Sequence, residues 1–174
     1  MLVRHLATTA VRKLENPNYI SCCVGKIIEC KRHEDADKLF VSQIDVNAAK
    51  PLQVCSGLVD HVPIERMSDA RVVVVTNLKP SKMRGVKSEA MVLAAEKDNS
   101  VTLVTPHEET SIGSKLHFEG FDTIEKAPRL KSQLWHELQS KLRTSENGTV
   151  VFDNHALVDE QGNAATSVPN AGVR

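Results

Sequence analysis

Aromatic side chains are scarce: 3% of 174 residues, with one Trp, one Tyr and four Phe. A binder of single-stranded nucleic acid that stacks bases on exposed rings needs more. No apolar run reaches the length that crosses a bilayer, so no membrane span is expected. There is no charge excess, since 22 Lys and Arg balance 22 Asp and Glu. A global field that would draw in a polyanion is therefore missing. The four cysteines, Cys22, Cys23, Cys30 and Cys55, show neither Cys-x-x-Cys nor Cys/His zinc spacing. They read as reduced thiols packed as small apolar groups, and neither metal nor cofactor is expected. A nucleophile beside a base at a recognisable spacing is also missing. His107-Glu108-Glu109, and His33 with Asp35 and Asp37, are the only groups one could cast as bases or ligands. Loop acids beside a histidine are usually solvated, so the chain is not expected to be an enzyme.

What is present is local. Residues 76–91 carry four positive and one negative side chain, a balance of +3, whereas residues 92–125 carry two and seven, a balance of −5. A focused patch can guide a polyanion on a neutral protein, because screening sets in only over about 8–10 Å. The positive patch is "NLKPSKMRG", Asn77 to Gly85, with Lys87 just after it. It follows "RVVVVT" (71–76), a run apolar on both faces.

The pattern upstream is one of strands. "CCVGKIIECK" (22–31) is a long β-branched run and "RHEDAD" (32–37) a polar turn. "KLFVSQIDV" (38–46) alternates, and "LQVCSGL" (52–58) is a third strand. "VPIERMSD" (62–69), opening on Pro63, reads as a short helix. "AMVLAAE" (90–96) is a fifth strand, and "SVTLV" (100–104) extends it after an Asp98-Asn99 turn. Three strands, a helix and two strands predict an all-β architecture, a five-stranded OB-fold barrel. In that order "RHEDAD" and the basic loop fall at the same mouth.

Both ends differ from this middle. Residues 1–14 hold Arg4, Arg12 and Lys13 and no acid before Glu15, the composition of a mitochondrial presequence. The alternative is an exposed start to a cytoplasmic protein. Beyond Pro128, Leu130, Leu134, Leu138 and Leu142 repeat every four residues with Trp135 beside them, which predicts one helical face packed on the barrel. Residues 149–152 and 156–158 flank a predicted hairpin turn at Asp153-Asn154-His155. The closing "GNAATSVPNAGVR" reads as weakly structured. The expected division is an N-terminal segment (1–21), a barrel (22–122) and a C-terminal extension (123–174).

The stretches "VGKIIECKRHEDADKLFVSQIDV", "VCSGLVDHVP", "VVVVTNLKPSKMRGVKSEAMVLAA" and "NAGVR" resemble the tRNA-binding domain of the endothelial-monocyte-activating polypeptide II type. That domain occurs in the fungal cofactor of methionyl- and glutamyl-tRNA synthetases and in the animal multi-synthetase scaffold. The resemblance implies an OB barrel that binds tRNA by its structure and assists an aminoacyl-tRNA synthetase without catalysis. It implies an extension that stands in for a second subunit, giving a monomer of pseudo-dimer architecture. The RNA-binding positions it carries over are Asn77, Lys79, Lys82, Met83, Arg84, Ser88 and Met91, with Lys26 and Ser56 as weaker candidates; Lys87 joins them as a neighbouring cation. Core packing is the competing role for Met83 and Met91. The chain departs from the family pattern at Glu34, at Cys23 and at Lys131-Ser132-Gln133, each change removing positive charge or adding negative. The departures favour a second function, a structural RNA- or protein-binding subunit of an assembly such as the mitochondrial ribosome.

Overall fold

The computed structural model describes residues 16–174. Of the N-terminal segment 1–21, residues 1–15, which hold the presequence-like stretch, lie outside the described residues. After a 3₁₀ turn at Pro17–Tyr19, β1 (Cys22–Arg32), β2 (Phe40–Asp45) and β3 (Leu52–Ser56) form an antiparallel meander. The register of β1 on β2 slips between Ile27 and Glu29, a bulge that bends this long strand. Gly25 makes the bend compact: a Cβ there would lie 2.5 Å from Ile44 Cγ2 and 2.9 Å from Val74 Cγ2.

A short helix, α1 (Ile64–Met67), leads to β4 (Arg71–Val75), which pairs with β1. Pro63 is its N-cap rather than its first residue, and the helix is shorter than residues 62–69 predict. The basic segment is not a bare loop. It is a hairpin of β5 (Ser81–Met83) and β6 (Val86–Ser88). The expected strand at 90–96 is divided at Leu93 into β7 (Met91–Val92), which pairs with β4, and β8 (Ala94–Lys97). β9 (Ser100–Leu103) folds back on β8 as a hairpin instead of prolonging it. The Asp98-Asn99 turn is where expected, with φ of 50° and 64°. Glu89 N donates to Gln53 O at 2.8 Å, which ties β3 to the chain entering β7 and closes the strands on themselves.

β10 (Lys115–Phe118) then pairs with the start of β1. α2 (Ser132–Gln139) follows, and then β11 (Leu142–Thr144), β12 (Val150–Phe152), β13 (His155–Val158) and β14 (Gly172–Val173). The four-residue leucine repeat exceeds the helix. Leu130 precedes α2 and bridges to Leu78, while Leu142 lies in β11 opposite Phe152. Only Leu134, Trp135 and Leu138 are helical. The Asp153-Asn154 turn joins β12 to β13 as expected. The tail is structured, contrary to its composition: β14 is inserted between β8 and β11, and Ala165, Ala171 and Val173 are buried.

Two cores result. Ile27, Phe40, Ile44, Val54, Met67, Val72 and Val74 fill the interior of the first strands. The second lies outside that wall, where Cys22, Val24, Val73 and Val75 meet Leu138, Phe152, Leu157 and Val173. β4 therefore faces both, Val72 and Val74 one way and Val73 and Val75 the other, which explains a run with no polar face. Burial pushes the Cys22 thiol far above the usual range and lifts Cys23 to about 11 despite Lys115 nearby; it raises Cys30 and Cys55 as well. All four cysteines are free.

Candidate nucleic-acid interface

The hairpin turns on two residues, Arg84 with φ 51° and Gly85 with φ 83°. Positive φ at both central positions is the mark of a type I′ turn, whose twist matches the flanking strands. Pairing then sorts the side chains. Ser81 lies opposite Ser88, Lys82 opposite Lys87 and Met83 opposite Val86. Lys82 and Lys87 thus share the exposed face, while Ser81, Met83 and Ser88 turn toward β3 and line a groove of about 350 Å³. Like charges directly across a strand pair are destabilising, and here nothing offsets them. Among the described residues no carboxylate pairs with Lys79, Lys82, Arg84 or Lys87; the four ion pairs lie elsewhere.

Side-chain hydrogen bonds fix the hairpin in place. Ser88 Oγ accepts from Cys55 N at 3.0 Å and donates to Ala90 O at 3.1 Å. Glu89 Oε2 accepts from Gln53 N at 2.8 Å. These contacts satisfy N–H groups along the edge of β3 that would otherwise be unpaired. His33, buried in the first loop, lies with Nε2 3.2 Å from Met83 O, and its Nδ1 accepts from Asp35 N at 3.0 Å. With Nδ1 the acceptor, Nε2 carries the proton and donates to Met83 O. The two charge-patterned loops are brought together, as the strand order predicted, and both nitrogens of His33 are used structurally.

The predicted contact residues separate into groups. Lys79, Met83, Ser56 and Met91 meet at the groove. Met91 also packs against the outer core, so its packing role is real. Lys82, Lys87 and Arg84 project from the hairpin. Ser88 and Asn77 are also bonded into the fold. Ser88 is buried with its hydroxyl doubly engaged. Asn77 donates Nδ2 to Tyr19 O and Pro128 O, each at 2.8 Å, and accepts from Ser21 N through Oδ1 at 3.0 Å. Both therefore brace the fold beside the groove. Lys26 stands apart on β1, opposite Asp45 and Arg71 and 3.9 Å from Asp69, and does not line the groove. Sequence reasoning missed Ser81, His61 and Glu89 at the groove. Only Glu89 had left a signal, as the single acid among the cations.

A family model described as "Putative tRNA binding domain" matches residues 22–115. The chain belongs to that family. Among the relatives of this tRNA-binding domain is the mouse aminoacyl tRNA synthase complex-interacting multifunctional protein 1, 36% identical over 155 residues, covering 87% of this chain and 50% of the mouse protein. The tRNA-aminoacylation cofactor arc1 of Schizosaccharomyces pombe is 43% identical over 136 residues, covering 75% of this chain and 30% of arc1. The chain thus spans half or less of these curated relatives. The C-terminal domain of Plasmodium vivax p43 shares the fold, with a TM-score of 0.84 at 24% identity over 92% of this chain and 99% of that one. A methionyl-tRNA-synthetase-related protein from Pyrococcus horikoshii covers 55% of this chain and 88% of its own, at 27% identity and a TM-score of 0.52.

Proposed function

We propose that this chain binds tRNA through the β5–β6 hairpin and assists an aminoacyl-tRNA synthetase, without itself catalysing a reaction. The observation that carries this is a braced hairpin bearing Lys82, Arg84 and Lys87, with Lys79 just before it: four cations with which no carboxylate pairs among the described residues, two of them directly opposed. Phosphates are the natural relief for such a cluster, since each contact releases condensed counterions. Tethering tRNA beside an enzyme raises its local concentration without any new catalytic group. Residues 22–122, whose five predicted strands correspond to β1–β4 and to β7 with β8, are read as an OB-type barrel whose mouth holds the hairpin. Residues 123–174 are read as the extension that takes the place of a second subunit, which makes the protein a monomer. The fold shared with the p43 domain along nearly its whole length supports treating both parts as one unit.

The test is binding of a tRNA transcript at increasing salt. Four phosphate contacts give a slope of log affinity against log salt of about −3 to −4. Changing Lys82 and Arg84 together to alanine should cost about 1–3 kcal/mol, alike for different tRNAs, because phosphate contacts position and do not specify. Failure to bind any tRNA in low salt would overturn this function. The zero net charge favours one other reading, a structural subunit of a larger RNA–protein assembly such as the mitochondrial ribosome. Co-purification from cells with ribosomal components instead of a synthetase and tRNA would decide for it.

A further inference from the structure

The groove behind the hairpin is more apolar than a phosphate site requires. Leu58, Leu78, Met83, Met91, Val92 and Val101 contribute to its walls. Met83 and Met91 both line it and are half-buried, Met83 on the hairpin and Met91 on β7. No Phe, Tyr or Trp lines the groove. Thioether side chains are flexible and polarizable, so they can close on a flat ring without an aromatic partner. Lys79 lies at the same groove, and Lys82 and Arg84 stand on the adjoining hairpin. An apolar slot rimmed by cations matches a nucleotide, with its ring inside and its phosphates outside.

One polar group gives the slot a preference. Glu89 lines the groove, yet it is an acid inside a segment that otherwise gathers positive charge. Its Oε2 is occupied by Gln53 N, while Oε1 has no hydrogen-bond partner among the described residues. A free carboxylate oxygen repels phosphate and accepts only from a donor. The donors on a nucleobase edge are its amines, and a carboxylate accepting from the cytosine 4-amino group is an established pairing.

We propose that the groove receives one unstacked base of the bound RNA, held between Met83 and Met91, and that Glu89 Oε1 selects a base bearing an exocyclic amine over uracil. This rests on the RNA-binding reading above and names what the same site takes. Unpaired, splayed bases are the usual target when a protein reads RNA chemically.

The test compares the oligonucleotides rC8 and rU8, which have equal phosphate number and the same pyrimidine ring size, and the Glu89 variant then separates the base edge from stacking. Wild type is expected to bind rC8 at least about tenfold more tightly, the ratio that one hydrogen bond to a charged acceptor sets. Glu89→Gln keeps an amide oxygen for Gln53 N while offering a donor as well. It should bring the two affinities within about twofold of each other, with thermal melting confirming an intact fold. Met83→Ala should weaken both oligonucleotides equally and leave the salt slope unchanged. Equal binding of rC8 and rU8 by wild type overturns the proposal, and so does a preference that survives in Glu89→Gln. Binding of tRNA with no binding of either oligonucleotide overturns it too, because a free strand offers its bases most readily. Absence of binding to tRNA and oligonucleotides alike would instead remove the RNA-binding reading beneath it.

Discussion

Arg84→Asn should stabilise the fold and weaken RNA binding at once. Arg84 holds φ of 51°, in the left-handed region that L side chains with a long stem adopt at a cost on the order of 1 kcal/mol. Asn tolerates that region, and the change creates Asn-Gly, the favoured pair for a two-residue hairpin. Arg84 is exposed and has no ion pair among the described residues, so its removal sacrifices no folded-state contact of that kind. The expected gain is about 0.5–1 kcal/mol, read as a higher urea midpoint at unchanged slope. Affinity for a tRNA transcript should fall about five- to tenfold, the loss of one charge-assisted phosphate contact. The salt slope should flatten by about 0.9. A lower midpoint would show that the turn is not held in the left-handed conformation by the strands around it. Unchanged tRNA affinity and salt slope would show that the tip of the hairpin does not touch RNA.

Ser88→Ala should destabilise the protein by about 1–3 kcal/mol, measured by urea unfolding, because the buried Cys55 N–H loses its acceptor. Asp159 is buried, which raises its pKa. The opposing hydrogen bonds from Thr110, Asn163 and Gln161 prevail and hold the carboxyl down to about 2. Its folded pKa is below the unfolded value, so its stabilisation is complete above about pH 4 and is lost as pH falls toward 2. Asp159→Asn should cost about 1–3 kcal/mol at neutral pH and flatten that acid limb in thermal melts at stepped pH. Residues 1–21 fused to a fluorescent reporter should carry it to mitochondria, and a purely cytosolic signal would remove that assignment.

Much of the fold was legible wherever its signals are local. The β-branched runs, the Pro63 start and the Asp98-Asn99 and Asp153-Asn154 turns each carry their own conformational preference. The hairpin was hidden because its turn is Arg-Gly, not Asn-Gly, and because its alternating residues are serine, lysine and methionine instead of apolar against polar. The leucine repeat misled for the opposite reason. Leu130 and Leu142 are as buried as Leu138, but strand and bridge pairing with distant residues, which no spacing reveals, takes them out of the helix. The tail was read as loose because Ala165 and Ala171 are small, and their burial depends on partners far away in sequence. At the site, the cations and methionines could be seen from the sequence. The bracing roles of Asn77 and Ser88 could not, because an amide or hydroxyl looks the same in sequence whether it faces RNA or a neighbouring strand.

β4 belongs to both cores, and that has a kinetic meaning. Val73 and Val75 gain their burial only when the extension docks, and Val72 and Val74 only when the first strands close. Neither half can complete this strand alone, so the two are expected to melt in one cooperative transition instead of as separable folding units. The amides of residues 72–75 should then be among the last in the molecule to exchange with solvent, opening only when the whole chain unfolds. The hairpin lies outside both cores, so its amides are expected to exchange sooner than those of β4, although Ser88, Glu89 and His33 hold it in register.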